Sequence, residues 1–223
     1  MTPLQRILFE GRLTHGAWTR THDDGRELLC LLAAMSPEVA EAEDADACPA
    51  HIAPPWLAHL LPWIDDAGTD AARPTVWARV ADLQARWSAL WPDGWPEDVS
   101  RRADARVRRA AVLAARVHAT ERELPAIDGV VALLDRRIAG DEPGEGEWSA
   151  VASAAAASAA SASAASWAAA RAAVSASWAA AAGAAWKAAR AAARAAADAL
   201  TVEILDIIEA EIESGEHRRE GGE

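Results

Sequence analysis

Apolar positions along this chain recur every three to four residues far more often than every two. Residues 71–91 are the clearest case. Val76, Trp77, Val80, Leu83, Trp87, Leu90 and Trp91 fall on one arc of about 140° at 100° per residue, the mark of an amphipathic helix. Pro92-Asp93-Gly94 then reads as a turn. A further helix is predicted over 96–119, with Val107, Ala110, Leu113, Ala114 and Val117 on one side. Arg101, Arg102, Arg106, Arg108, Arg109 and Arg116 lie on the other. Another follows over 125–139.

Earlier in the chain, Thr2 before Pro3 is an N-cap ahead of a first-turn proline and predicts a short helix over 2–10. Residues 13–25 read as an irregular connection ending in a turn. The run RELLCLLAAM (26–35) reads as a helix that Ser36-Pro37 ends. Residues 38–47, with Glu38, Glu41, Glu43, Asp44 and Asp46, read as a solvated loop or frayed helix. A helix is predicted from Pro54 to Ala67, kinked at Pro62 and closed by Gly68. Alternating Val/Ile/Thr runs between turn residues are missing, so no hairpin is expected.

Gly140 to Gly146 is a breaker-rich linker. Beyond it one helical pattern runs over 147–214, without Pro and interrupted only by Gly183. Trp167, Trp178 and Leu200 are spaced by 11 and 22, and Val174, Trp186, Ile204, Ile207, Ile208 and Ile212 join them on one stripe. An 11-residue period gives a nearly straight helix. A single helix over this region would span about 100 Å. A hairpin turning within Ser158–Ser166 is the competing geometry. The expected fold is all-α: a Trp-anchored helical bundle over 1–140, a linker over 141–146, a long Ala-rich helix or helical hairpin over 147–214, and a disordered acidic tail over 215–223.

Composition sharpens this picture. Alanine supplies 31 of the 50 residues from 151 to 200, and a buried Ala hides only about one methyl, on the order of 0.8 kcal/mol. Large apolar anchors are few, and with 11 Trp, one Phe and no Tyr, Trp must carry much of the core. The net charge of −12 repels phosphate backbones, so DNA is not an expected partner. Residues 148–170 carry no charge but are nearly all Ala and Ser, too weakly apolar for insertion, so no membrane span is expected. The N-terminus lacks the apolar core of a signal peptide. Two cysteines, Cys30 and Cys48, suggest no disulfide framework and fit a reducing, cytoplasmic setting.

Candidate chemistry is sparse. Cys48, His51 and His59, with Cys30 and Asp65 or Asp66 to complete them, offer metal-ligating types, but the spacing matches no zinc pattern; the alternative is a surface His pair and a buried thiol. The arginines Arg101, Arg102, Arg106 and Arg109 could grip an anion, RNA or an acidic partner, or else pair with the chain's own carboxylates or be plainly solvated. The segment around Trp56, Trp63, Asp65 and Asp66 is dense in Trp and acid, the composition of a protein-binding surface or of core packing. Asp65 and Asp66 are adjacent and so point to different sides of a helix. No catalytic or cofactor-binding motif is present, and no cofactor is expected.

The tail SWAAARAAVSASWAAAAGAAWKAARAAARAAADAL followed by TVEILDIIEAEI, and the middle CPAHIAPPWLAHLLPWIDDAG, resemble alanine-rich helical proteins of bacteria and phages, some labelled immunity proteins. That resemblance implies no reaction, cofactor or functional residue. It implies a phage- or prophage-linked protein that acts by binding another protein. The expected function is therefore a non-enzymatic protein-binding module of the inhibitor or immunity type. The alternatives are a structural protein self-associating through 147–214, and a metal-dependent enzyme using His51 and His59.

Overall fold

The computed structural model describes residues 1–67, 69–116, 119, 121, 123–153 and 179–221, with the backbone alone at 115 and over 179–195. The fold is all-α with one two-stranded sheet among the described residues. Two compact units divide the chain. One joins Met1–Asp104 to Ala197–Glu223, and the other is Ala105–Ala196. Among the described residues no helix is long and apolar enough to cross a membrane.

In the first unit, α1 (Pro3–Phe9) opens on a capping box. The Thr2 hydroxyl accepts from the Gln5 main-chain N–H at 3.2 Å, and the Gln5 side chain accepts from the Thr2 N–H at 2.9 Å, satisfying two donors that a helix start leaves orphaned. The helix packs Leu4 and Ile7 inward. Two strands follow, β1 (Thr19–Thr21) and β2 (Glu27–Leu29), antiparallel with Thr19 opposite Leu29. This hairpin corrects the expectation of an irregular connection and a helix from 26. Its loop is a turn from His22 to Gly25, where the Gly25 N–H donates to the His22 carbonyl at 2.9 Å. Gly25 sits at φ +83°, a conformation glycine adopts without strain. Asp24 braces the return strand by accepting from the Arg26 N–H at 3.0 Å. Strands of three residues are too short for an alternation to register.

Helix α2 (Leu31–Met35) is buried on every side, and α3 (Pro37–Ala42) follows after Ser36. A 3₁₀ turn (Ala45–Ala47) leads to α4 (Pro55–Ala67), which carries Pro62 inside it. The segment 38–47 is thus ordered, because Val39 and Ala45 are buried beneath it. Next come α5 (Arg73–Leu90) and α6 (Glu97–Arg116), the latter entering the second unit beyond Asp104. Between them, Trp91–Gly94 turns sharply, with the Gly94 N–H donating to the Trp91 carbonyl at 3.0 Å. Gly94 has φ +106°, and a Cβ there would lie 3.0 Å from the Ala50 carbonyl oxygen.

A tryptophan cluster forms around this turn. Trp95 meets Trp56, Trp87 and Trp91 at centroid distances of 6.1, 5.9 and 4.7 Å, the first two edge-on, the arrangement that aromatic quadrupoles favour. Trp87 is fully buried and its indole N–H donates to the Ile52 carbonyl at 3.0 Å. Trp56 donates to the Ser100 hydroxyl at 3.0 Å.

The unit is completed by the C-terminal part of α9 (Ala179–Glu220). Ile204, Ile208 and Ile212, one turn apart, are buried together with Leu205. Ion pairs with α5 and α6 fix its register. Arg79 reaches Asp206 and Glu209, both at 2.6 Å, Arg86 forks onto Glu216 at 2.9 and 3.2 Å, and Arg102 clamps Glu211 at 2.6 Å. Asp198 accepts from both the N–H and the hydroxyl of Thr69 at 2.9 Å. The expected disordered tail from 215 is helical to Glu220. Arg86 holds Glu216, and the backbone at Gly215 comes so close to α5 that a Cβ would lie 2.7 Å from the Leu90 side chain.

In the second unit, α7 (Leu124–Ile138) and α8 (145–153) are joined by 139–144. Arg136 binds Asp141 at 2.6 Å and also Glu147, so the Gly-rich connection is pinned on both sides. A Cβ at Gly129 would lie 3.4 Å from Val151, so these helices pack closely there. Arg109 pairs with Asp135 at 2.5 Å and Arg116 with Asp128 at 3.0 Å. The Ser158–Ser166 hairpin turn, and the Trp167, Val174 and Trp178 part of the stripe, lie outside the described residues.

Candidate functional site

Two features of the first unit stand out: an acidic face on α3 and the 3₁₀ turn, and a small cavity beside α2 and α4. The acidic face consists of Glu38, Glu41, Glu43, Asp44 and Asp46, all exposed. Glu38 accepts from the Ser36 hydroxyl at 2.6 Å, which holds its carboxyl below the usual range. Glu43 accepts from the Thr19 hydroxyl at 2.9 Å, and Asp44 from the Asp46 N–H at 3.0 Å. Among the described residues, no Arg or Lys forms an ion pair with any of the five; His59 meets Asp46 at 2.9 Å. The contrast with Arg79, Arg86, Arg102, Arg109 and Arg116, each bound to an acid of its own unit, is one of placement. These five arginines sit at helix contacts, whereas the five carboxylates face solvent.

The cavity begins with the two acids that end α4. Adjacent helical side chains diverge by about 100°, so one faces inward and the other outward. Asp65 is 1% exposed. Its carboxylate accepts from the Trp77 indole N–H at 2.6 Å and from the Leu31 main-chain N–H at 3.4 Å, while its own carbonyl accepts from Arg73 Nε at 3.2 Å. Asp65 therefore ties the start of α2 to the start of α5. Burial pushes its carboxyl up to about 6; the Trp77 and Leu31 hydrogen bonds oppose that shift, Asp66 adds to it, and Arg73 offsets it. Asp66 is exposed and accepts from the Gly16 N–H at 2.7 Å.

These residues line a cavity of about 220 Å³ together with Ala17, Trp18, Cys30 and Pro62. Gly16, Ala17 and Asp66 are exposed and form its mouth; Cys30 and Asp65 are buried and form its floor. The Cys30 thiol caps α2, with its sulfur 3.4 Å from the Ala33 nitrogen. Burial pushes this thiol above its ordinary value, so it stays protonated and is a poor nucleophile. The chemistry on offer is a buried carboxylate titrating near neutrality, not a thiolate.

The structure spreads the other sequence candidates. Trp56 belongs to the tryptophan cluster, and Trp63 is exposed on α4. Arg101 is exposed 3.7 Å from Glu97. Arg102 and Arg109 hold Glu211 and Asp135, and Arg106 is half-buried. Cys48 points at the Pro49 carbonyl, 3.8 Å away, and His51 is exposed. Among the described residues no group of three or more His, Cys, Asp or Glu side chains could hold a metal ion. Gly16, Ala17, Trp18, Arg73 and Trp77 entered no candidate site in the sequence. Trp77 was visible only as one position of an apolar arc, and the others carry no local pattern.

Asp65 makes a pH prediction. A carboxyl raised from 3.8 to about 6 by folding binds more protons in the native than in the unfolded state between those values. Stability from this group is then full below pH 4 and falls as pH rises through 6. At one unit per 1.36 kcal/mol the loss is about 3 kcal/mol. Asp65→Asn keeps the shape and removes the titration. Urea denaturation from pH 4 to 7.5 should show the variant gaining on the wild type as pH rises; parallel curves would refute the assignment.

Compared with known protein families, curated proteins and solved structures, the chain matches none of them.

Proposed function

We propose that this chain is a non-enzymatic protein-binding module of the inhibitor or immunity type, which offers its α3 face to a basic partner protein. The observation that supports this reading is the placement of charge. Five exposed carboxylates stand on one short ordered segment without an Arg or Lys ion pair among the described residues. The segment is anchored from below by Val39 and Ala45, so its charges are presented at fixed positions. Fixed like charges raise the encounter rate with an oppositely charged protein and discriminate against acidic ones. A buried carboxyl and a protonated thiol, with no metal-holding group of His, Cys, Asp or Glu among the described residues, support binding over catalysis.

The test is capture of partners from a nuclease-treated host lysate by the tagged wild type and by a variant carrying Glu38→Gln, Glu41→Gln, Glu43→Gln, Asp44→Asn and Asp46→Asn. A stoichiometric basic protein is expected on the wild type, weakened by added salt and absent from the variant. A partner retained equally by both would sink the acidic-face reading.

A further inference from the structure

We infer that the cavity between the Gly16–Trp18 loop and α4 is a binding pocket for an organic cation, a guanidinium or primary ammonium head group, held against the Asp65 and Asp66 carboxylates.

Size comes first. Pockets for drug-sized ligands hold roughly 300–1,000 Å³. At about 220 Å³, this one suits a single head group with a few carbons. Its floor is the next consideration. An ionised carboxylate accepts about four hydrogen bonds, and among the described residues Asp65 receives two, both from neutral N–H groups. A buried carboxylate is costly unless it is paired; Arg73, which also bonds the Asp65 carbonyl and pairs with Asp70, offsets part of that cost, and a bound cation would add to it. The mouth adds a second carboxylate, Asp66, and the wall adds the half-buried Trp18, an indole of the kind that attracts cations to its face. An anion would meet two carboxylates, and a neutral ligand would add nothing to the partial compensation from Arg73.

The pocket also adjoins the acidic face. Trp18 is followed directly by Thr19, whose hydroxyl is bonded to Glu43. A basic protein lying on α3 could therefore place one Arg or Lys side chain in the pocket. The pocket stands without that reading, since a free guanidine or amine has the same head group.

Binding is coupled to protons. Four groups face the Asp65 carboxylate: Asp66 on α4, Arg73 at the start of α5, Cys30 at the junction of β2 and α2, and the neutral Trp77. Arg73 itself is bound to Asp70. A cation in the pocket favours ionised Asp65, so affinity should fall below pH 6.

The experiment titrates full-length protein, labelled with ¹³C at Asp, at low salt and pH 7.5. The probes are ethylguanidinium and an acetyl-Gly-Arg-Gly-amide peptide, and the readout is the Asp65 carboxyl resonance. Saturable binding at ~1–10 mM is expected. Asp66→Asn should weaken it about 3–5-fold, and Asp65→Asn more, followed through backbone amides at Gly16 and Ala17. Glu41→Gln, outside the pocket, should leave it unchanged. Tighter binding of the peptide would identify a partner's side chain as the occupant; equal or weaker binding would identify a free small cation. The proposal is overturned if neither probe saturates, or if Asp66→Asn and wild type bind alike while both retain the wild-type amide spectrum. Loss of the lysate partner with the pocket intact would remove the acidic-face reading alone.

Discussion

Trp87→Ala should destabilise the first unit by about 3–5 kcal/mol, the range for truncating a buried aromatic side chain. Three losses combine. The indole is fully buried, so its apolar surface leaves a void. Its edge contact with Trp95 at 5.9 Å disappears, and the Ile52 carbonyl loses its donor. The cluster cannot close the gap easily, because Trp95 is already held by Trp56 and Trp91, and the Gly94 turn is pressed against Ala50. Urea denaturation followed by tryptophan fluorescence measures the loss. Phe9→Ala is the control: that ring is 87% exposed, and its removal should change stability by no more than about 0.5 kcal/mol. Similar losses in the two variants would mean that the cluster is not the anchor of this unit.

The second large effect concerns Glu211. This carboxylate is 2% exposed and receives Nε and Nη2 of Arg102. Arg102→Met keeps the aliphatic volume but takes this guanidinium away from the buried carboxylate. Breaking a buried pair from one side costs about 3–5 kcal/mol. Adding Glu211→Leu to Arg102→Met should recover part of that loss, because two apolar residues then replace the pair. The surface pairs of Arg79 and Arg86 behave differently. The acids they hold are more exposed than Glu211, each pair is worth less, and salt screens them. A double-mutant cycle in low and high salt separates the cases. If Arg102→Met costs no more than Arg79→Met, Glu211 is solvated and the clamp adds little.

The arginine helix shows where sequence reading stops. Periodicity placed Arg102 and Arg109 on one side of a helix, and they are on α6 as expected. Their partners were not legible, since Glu211 lies 109 residues away in the chain. The apolar stripes were legible, because burial repeats with the helix. Val76, Val80, Leu83, Trp87 and Leu90 are all buried, as are Ile204, Ile208 and Ile212. At the edges of the α5 arc, Trp77 and Trp91 are half-buried, and Trp77 uses its polar edge to reach Asp65. The hairpin was not legible, because its strands Thr-Arg-Thr and Glu-Leu-Leu alternate too briefly. The cavity was legible only in fragments. Asp65, Asp66 and Cys30 were singled out by residue type, but the loop at 16–18 that roofs them is brought there by tertiary structure.

The first unit takes its residues from Met1–Asp104 and from Ala197–Glu223. A ribosome delivers these two parts separately. At ~5–20 residues per second, on the order of ten seconds pass while the intervening segment is made. Throughout that interval the side chains that will cover Ile204, Ile208 and Ile212 have no helix to cover, and Arg79, Arg86 and Arg102 have no acids from α9. The N-terminal part therefore cannot complete this core as it emerges. Its core is sealed only once the C-terminal part of α9 has been made, a non-local closure of the kind that slows folding.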